Sequence, residues 1–328
     1  MSIKKINDAG RSFSQIKLKG RYKMEILVFG HKNPDTDTIM SAIAMANLEN
    51  KKGKNAVACR LGNINKETKY ALEYFKQQEP KLIESVEETQ EVVLVDHNEF
   101  GQSVDGIENA KILRVVDHHK IGDFKTSEPL YYTSMPVGCT ATIIYGMYEQ
   151  EKIEIEPKIA GLMLSAIISD TLLFKSPTCT PLDVEVANKL AEIANIDVNT
   201  YGLDMLKAGT DLSDFTPEEL INIDSKPFST NGVKYQVAQV NTACIEEVLK
   251  DKATIEIAME KFSNANSIDV FVLLITDILE NNSQILVVGS RQDVIEKAFD
   301  VKLEDNMAFL PGVVSRKKQV VPVIDKNI

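Results

Sequence analysis

The sequence predicts an α/β protein: a doubly wound, mainly parallel sheet in an N-terminal domain, then a smaller α/β domain with a mixed sheet. Three observations predict it. Short apolar strands alternate with helical patterns over the first two-thirds of the chain, as expected of parallel strands joined by crossover helices. The composition turns polar at TDLSDFTP, residues 210–217, where a domain boundary is expected. Beyond it, strand-like runs gather around a polar turn. A chain of 328 residues also suits two domains, each burying its own core.

Taken in order, MEILVFG (24–30) is a buried-type strand and 41–48 an Ala-rich helix. A short strand at 57–60 precedes a helix at 67–78 that carries Tyr70, Leu72, Tyr74 and Phe75. EVVLV (91–95) and ILRVV (112–116) are further strands, and 140–149 and 159–169 further helices. In the second domain, 233–240 is strand-like and 242–262 helical. Residues 269–276 and 284–289 are strands around a Glu-Asn-Asn turn, and 319–323 is expected to be a last short strand. The domains are placed at 24–211 and 217–328, with the active site in the cleft between them.

Residues 1–23 stand apart. They hold seven Lys or Arg against Asp8 alone and lack the apolar core of a secretory signal, so they read as an extension before a natural start at Met24. The net charge of −11 gives no general attraction for nucleic acid or an anionic membrane, so a phosphate ligand must be held by local charges or metal ions. No apolar run approaches the ~20 residues that span a bilayer. Cys59, Cys139, Cys179 and Cys244 form no CxxC pair and read as reduced thiols of a cytoplasmic protein.

All four histidines, His31, His97, His118 and His119, follow apolar strands and stand beside aspartate, in MEILVFGHKNPDTD, EVVLVDHNE and ILRVVDHH. Strand C-termini of a doubly wound sheet converge on one crevice, which brings His31, Asp35, Asp37, Asp96, Asp117, His118 and His119 together. Any one of them could merely cap a strand or helix; the clustering carries the inference. Imidazole and carboxylate without thiolate suit Mn²⁺ or Co²⁺, although affinity order alone leaves Zn²⁺ open. The carboxylates exceed one ion's needs, so a pair of ions ~3.5–4 Å apart, sharing carboxylates and a water, is expected. Pro34 is expected to keep Asn33 extended. Asp35 and Asp37 could then face different metals, unless Asp37 or Thr38 simply caps the following helix.

Two further features complete the set. Asp170 ends GLMLSAIISD on nearly the same face as Ile159, within the stripe of Leu162, Met163, Ala166 and Ile167. A carboxylate at a helix C-terminus is disfavoured, and burying it unpaired is costly; a cation would offset both. Ser315-Arg316-Lys317-Lys318 is a basic cluster in an acidic chain. It is either a solvated run or a clamp for phosphate oxygens.

With these residues assembled, the chain resembles the family II inorganic pyrophosphatases of the DHH phosphoesterase superfamily. The resemblance runs from Met24 almost to the C-terminus, through GHKNPDTDT, VDHNE, VVDHH, PVGCTAT, LMLSAIISDTLLFKSPTCT, ITDILEN and GVVSRKKQVVP. No CBS-type regulatory segment interrupts it. The resemblance implies one metal on His31, Asp35, Asp96 and Asp170, and another on Asp37, Asp96, His118 and Asp170. Asp117 would orient a ligand, and His119 would contact substrate near the leaving phosphate. Lys226, Arg316 and Lys317 would hold the phosphates, and His97 would bind no metal. It further implies two Mn²⁺ or Co²⁺ per subunit, Mg²⁺ arriving with pyrophosphate, attack by a metal-bridged hydroxide, and a homodimer. An exopolyphosphatase or a short-oligonucleotide phosphodiesterase is the alternative on the same site. The absence of Trp and the 6% aromatic content favour a small compact anion. A sensor that binds nucleotide without turnover would have no need of the complete ligand set and the Arg-Lys clamp.

Overall fold

The computed structural model describes residues 25–328; the expected extension 1–23 and Met24 lie outside the described residues. Six strands form the first sheet: β1 (Ile26–Phe29), β2 (Ala56–Arg60), β3 (Lys81–Leu82), β4 (Glu91–Val95), β5 (Lys111–Asp117) and β6 (Tyr131–Ser134). They pair in the order β3-β2-β1-β4-β5-β6, and every pairing is parallel. The doubly wound reading holds. The order reverses between β1 and β4, so the loops leaving those two strands open a crevice at one edge.

Six helices accompany this sheet: α1 (Thr36–Lys51), α2 (Lys66–Tyr74), α3 (Thr140–Glu151), α4 (Pro157–Thr171), α5 (Pro181–Ala194) and α6 (Val198–Gly209). Side chains alternate across the pleat. Val28, Val93, Val95 and Val116 meet the helical core of Ile39, Met45, Ile144, Leu162 and Leu190. Leu27, Phe29, Val92, Leu94 and Val115 face the other way, against Val104 and Ile107. Each such apolar side chain contributes roughly 1.5–3 kcal/mol on burial. Strands buried on both faces read as continuous apolar runs, which is why they were visible in the sequence.

The second domain runs α7 (Pro217–Leu220), β7 (Ser225–Thr230), β8 (Val233–Thr242), α8 (Ile245–Leu249), α9 (Lys252–Asn266), β9 (Val270–Asp277), β10 (Asn282–Gly289), α10 (Gln292–Phe299), β11 (Met307–Leu310) and α11 (Val321–Asn327). Its sheet, ordered β11-β10-β9-β8-β7, is mixed: β8 and β9 are parallel and the other pairs antiparallel. Phe271, Leu273 and Ile275 pack beneath α9 with Ile255 and Met259. Val270, Val272 and Leu274 pack on the opposite face with Ile295 and Ile324. Leu279 and Ala243 of this domain join the core of the first, and Ala243 N donates to Thr210 Oγ1 at 3.0 Å.

Several expectations fail for local reasons. The strand expected at 319–323 is helical: a single π turn (Arg316–Val320) runs into α11. Its β-branched residues invite a strand reading, but Pro322 sits in the first turn of α11, where its missing N–H costs nothing. Val320 and Ile324, four residues apart, both bury against the sheet. The helix expected at 242–262 is broken into α8 and α9 around Asp251. The helix expected at 41–48 starts earlier, at Thr36, because Asp35 accepts a cap hydrogen bond from Thr38 N at 2.9 Å. Helix α5 escaped the sequence reading although Thr180 and Asp183 form a capping box with Pro181 in the first turn. No helix among the described residues is long and apolar enough to cross a membrane.

Candidate metal centre at the sheet crevice

His31 lies two residues beyond β1, Asp96 directly beyond β4, and His118 and His119 directly beyond β5. Asp96 is the pivot. It is 1% exposed and takes a left-handed backbone, φ 57°, while its N–H still donates to Val116 O at 2.9 Å. Its two carboxylate oxygens serve opposite sides. Oδ2 stands 3.4 Å from His31 Nε2 and accepts from Thr38 Oγ1 at 2.6 Å. Oδ1 stands 3.4 Å from His118 Nε2 and accepts from Thr140 Oγ1 at 3.1 Å.

Backbone carbonyls set both imidazoles. His31 Nδ1 lies 2.8 Å from Lys32 O, and His118 Nδ1 lies 3.0 Å from Val137 O. A carbonyl only accepts, so each Nδ1 carries a proton and each Nε2 points inward to the carboxylates. Asp35 adds Oδ2 at 3.4 Å from His31 Nε2, and Asp170 adds Oδ2 at 3.7 Å from His118 Nε2. Asp37 is fully buried and accepts from Thr140 N (2.7 Å), Ala141 N (3.3 Å) and Ser41 Oγ (2.6 Å). The positive end of α3 therefore faces this carboxylate. Asn33 is left-handed at φ 55°, not extended as expected. Proline at the next position disfavours right-handed helical geometry, and asparagine tolerates the left-handed region. Asp170 is no exposed helix end, with its side chain 18% exposed.

The electrostatics are those of charges in search of a counterion. Burial alone would depress His31, yet hydrogen bonds with Asp35 and Asp96 raise it to about 11. His118 likewise rises to about 9 against its burial, chiefly through Asp96. Burial disfavours charge on Asp96, but hydrogen bonds from His118, His31 and Thr38 outweigh it and hold the carboxyl well below the usual range. Asp37 and Asp170 move the other way, pushed up first by burial and then by neighbouring carboxylates. Divalent cations would take over from the imidazole protons and relieve the carboxylate repulsion. The donors also meet the geometric requirement. His31, Asp35 and Asp96 form one group, Asp96, His118 and His119 a second, and Asp37, Cys139 and Asp170 a third, each with ligand atoms within 4.8 Å of one another. The residues present fit metal binding.

Cys139 was not expected beside this cluster. It is fully buried at the start of α3, and burial and then the charges of Asp37 and Asp170 hold its thiol well above its ordinary value. His97 leaves the cluster. It is 3% exposed with Nδ1 at 2.9 Å from Val95 O, and it belongs to none of the three groups. Asp117 stands behind His119. Its Oδ1 accepts from His119 N at 3.1 Å and lies 2.9 Å from His119 Nδ1, so it orients His119 and not the inward-facing His118. Asn98 supports this arrangement: its amide donates to Asp117 Oδ2 and, at 2.9 Å, to Lys120 O. Asn98, Thr38, Ser41 and Thr140 were missed as site residues. Three lie inside or beside the VDHNE, GHKNPDTDT and PVGCTAT runs, but their hydrogen bonds required the fold.

The three phosphate-holding candidates sit on the second domain. Lys226 lies exposed on β7, and Arg316 and Lys317 open the π turn. Among the described residues, no hydrogen bond or ion pair joins them to the carboxylate–imidazole cluster. Arg316 instead reaches Asp224 Oδ1, with Nη2 at 2.8 Å.

Comparison with known proteins finds two family domains along the chain. A DHH family N-terminal domain matches residues 25–167, and a DHHA2 domain matches 203–327. The chain is thus a two-domain DHH–DHHA2 protein. It is 58% identical over 301 residues to the manganese-dependent inorganic pyrophosphatase of Bacillus subtilis, spanning 92% of this chain and 97% of that one. A Bacillus velezensis protein described as a probable manganese-dependent inorganic pyrophosphatase is 57% identical over 93% of this chain and 99% of its own. The crystal structure of a Methanococcus jannaschii protein, described as a putative family II inorganic pyrophosphatase, superposes with a TM-score of 0.58. It is 46% identical and covers 92% of this chain and 99% of that one. The chain belongs to the family of manganese-dependent inorganic pyrophosphatases.

Proposed function

We infer that the chain hydrolyses inorganic pyrophosphate to two orthophosphates in the cleft between a metal-holding domain (24–211) and a phosphate-clamping domain (217–328). The observation that carries this reading is Asp96, with one carboxylate oxygen turned to each of two inward-facing imidazoles. That arrangement suits a carboxylate shared by two ions, Mn²⁺ or Co²⁺. His31, Asp35, Asp96 and Asp170 would hold one ion, and Asp37, Asp96, His118 and Asp170 the other. When bound, such ions would lower the pKa of a coordinated water toward neutrality and so supply the nucleophile for hydrolysis.

The rest of the work falls to the chain's own groups. Thr38 and Thr140 fix the Asp96 carboxylate, and the start of α3 fixes Asp37. His119, anchored through Nδ1 by Asp117, turns Nε2 to the leaving phosphate. Lys226, Arg316 and Lys317 neutralise charge on the phosphoryl groups as the second domain closes over a magnesium-bearing substrate. The same family reading carries a cytoplasmic homodimer. The test is phosphate release from pyrophosphate by manganese-loaded protein, beside Asp96→Ala. Fast release that is lost in the variant supports the reading. Folded, metal-loaded protein that spares pyrophosphate but cleaves polyphosphate or short oligonucleotides overturns it in favour of the alternative.

A further inference from the structure

Arginine carries five N–H donors in a planar fork, and where each one goes can be counted. In Arg316, Nη2 forms an ion pair with Asp224 Oδ1 at 2.8 Å. Nη1 donates to Asp224 O and, at 3.4 Å, to Val237 O. The end of the guanidinium is therefore filled by one residue's carboxylate and carbonyl, with a second carbonyl beside it. The side edge, formed by Nε–H and the parallel Nη2–H, has no acceptor among the described residues. Two parallel N–H groups match two oxygens of a phosphate, the bidentate geometry that distinguishes arginine from lysine.

The main chain is held as firmly. Arg316 N donates to Gln239 Oε1 at 3.0 Å, and Gln239 Nε2 donates to Val314 O and Thr276 Oγ1, each at 3.0 Å. Gln239 N in turn donates to Asp224 O at 3.0 Å. The Arg316 side chain is 13% exposed and that of Asp224 53%. A packed-in guanidinium is thus gripped from its solvent side. A surface ion pair adds little stability by itself. What this one fixes is direction.

We propose that Asp224 is a positioning residue. It holds the Arg316 guanidinium end-on so that the Nε–Nη2 edge is presented, already oriented, to a phosphate oxygen pair of the substrate. The proposal rests on the reading of Arg316 as a phosphate clamp, and it assigns the preceding DSK segment a second task beside Lys226. An arginine on a long flexible stem would otherwise lose rotamer freedom on meeting its ligand; held in place, it has already lost it.

The experiment compares wild type, Asp224→Ala, Asp224→Asn, Arg316→Ala and the Asp224→Ala/Arg316→Ala double variant. Two readouts are taken: steady-state kinetics on pyrophosphate, and calorimetric affinity for imidodiphosphate, which is not turned over. Asp224→Ala should raise KM and the imidodiphosphate Kd about tenfold, the scale of one misplaced charge-assisted hydrogen bond. Manganese uptake and thermal midpoint should not change. Asp224→Asn keeps an acceptor oxygen and should stay within about threefold of wild type, as fits the loss of charge with retained geometry. In the Arg316→Ala background, Asp224→Ala should add nothing. Wild-type KM and Kd in Asp224→Ala, or an equal loss with Arg316 absent, overturns the proposal. Arg316→Ala that behaves as wild type removes the clamp and the proposal with it. A wild type that neither binds imidodiphosphate nor cleaves pyrophosphate is a different failure, that of the functional reading itself.

Discussion

Asp117 Oδ1 receives both the backbone N–H of His119, at 3.1 Å, and its ring Nδ1–H, at 2.9 Å. One carboxylate oxygen therefore fixes the tautomer of His119 and the direction in which its Nε2 points. With Asp117 wholly buried and His119 half exposed, the anchor is rigid and the imidazole faces outward. Asp117→Ala should lower kcat on pyrophosphate by roughly 10–100-fold, the usual cost of losing a residue that orients a site imidazole. Manganese content, measured by elemental analysis, should stay near wild type. Lost metal with unchanged turnover per bound ion would assign Asp117 to the ligands instead.

Gly30 leaves room for Thr38. A Cβ at Gly30 would lie 2.5 Å from Thr38 Cγ2 and 2.9 Å from its Oγ1, and that hydroxyl donates to Asp96. Gly30→Ala should therefore weaken manganese binding without touching a ligand. Thr38→Val should do so more selectively, by roughly 1–3 kcal/mol for a buried acceptor left unmatched. Calorimetric manganese titration checks both, and unchanged affinity in Thr38→Val would show the hydroxyl to be dispensable.

Metal removal should cost stability. Ligand binding to the folded state adds roughly 2.7 kcal/mol at a hundredfold excess over Kd. Chelation should accordingly lower the thermal midpoint, and manganese should restore it. Asp96→Ala, which removes the carboxylate between the two imidazoles, should show no manganese-dependent shift. A full shift in that variant would place the ions elsewhere.

Tyr235 supplies a pH test far from the site. Burial, then its hydrogen bond to Asp325, raises the phenol above its ordinary value of 10.0. The unfolded phenol then ionises before the folded one. Its contribution to stability is complete below 10.0 and is lost as pH rises beyond it. Thermal midpoints should fall more steeply with alkalinity in wild type than in Tyr235→Phe; parallel slopes would remove this residue from the account.

The parallel sheet and the residues at its crevice were legible because both leave strong local marks. Buried strands are apolar runs, and three of them, β1, β4 and β5, lead into histidine and aspartate. The last segment was misread because QVVPV favours a strand by composition, while its burial pattern, Val320 with Ile324, was set by a sheet assembled from distant residues. Asp117 was expected to orient a ligand, but two adjacent histidines are equivalent in sequence and do not say which one it holds. Only the backbone shows that His118 is held by Val137 and His119 by Asp117. Asp224 and Gln239 left no mark at all. Asp224 accepts from the Arg316 guanidinium across 92 residues of chain, and Gln239 from the Arg316 main-chain N–H across 77.

Asp96 and His97 are neighbours with opposite fates, one turned into the crevice and one sealed beneath it. A slip of β4 by a single position would exchange them, since strand side chains alternate faces. No single loop makes a complete ligand group: Asp96 is joined by residues after β1 on one side and after β5 on the other. A divalent ion at the crevice therefore reads the topology. It gains its full binding free energy only from a chain whose strands have found the right neighbours in the right register. Beyond serving chemistry, such an ion would act as an inspector of assembly, drawing correctly threaded molecules out of the folding ensemble and passing over near-misses.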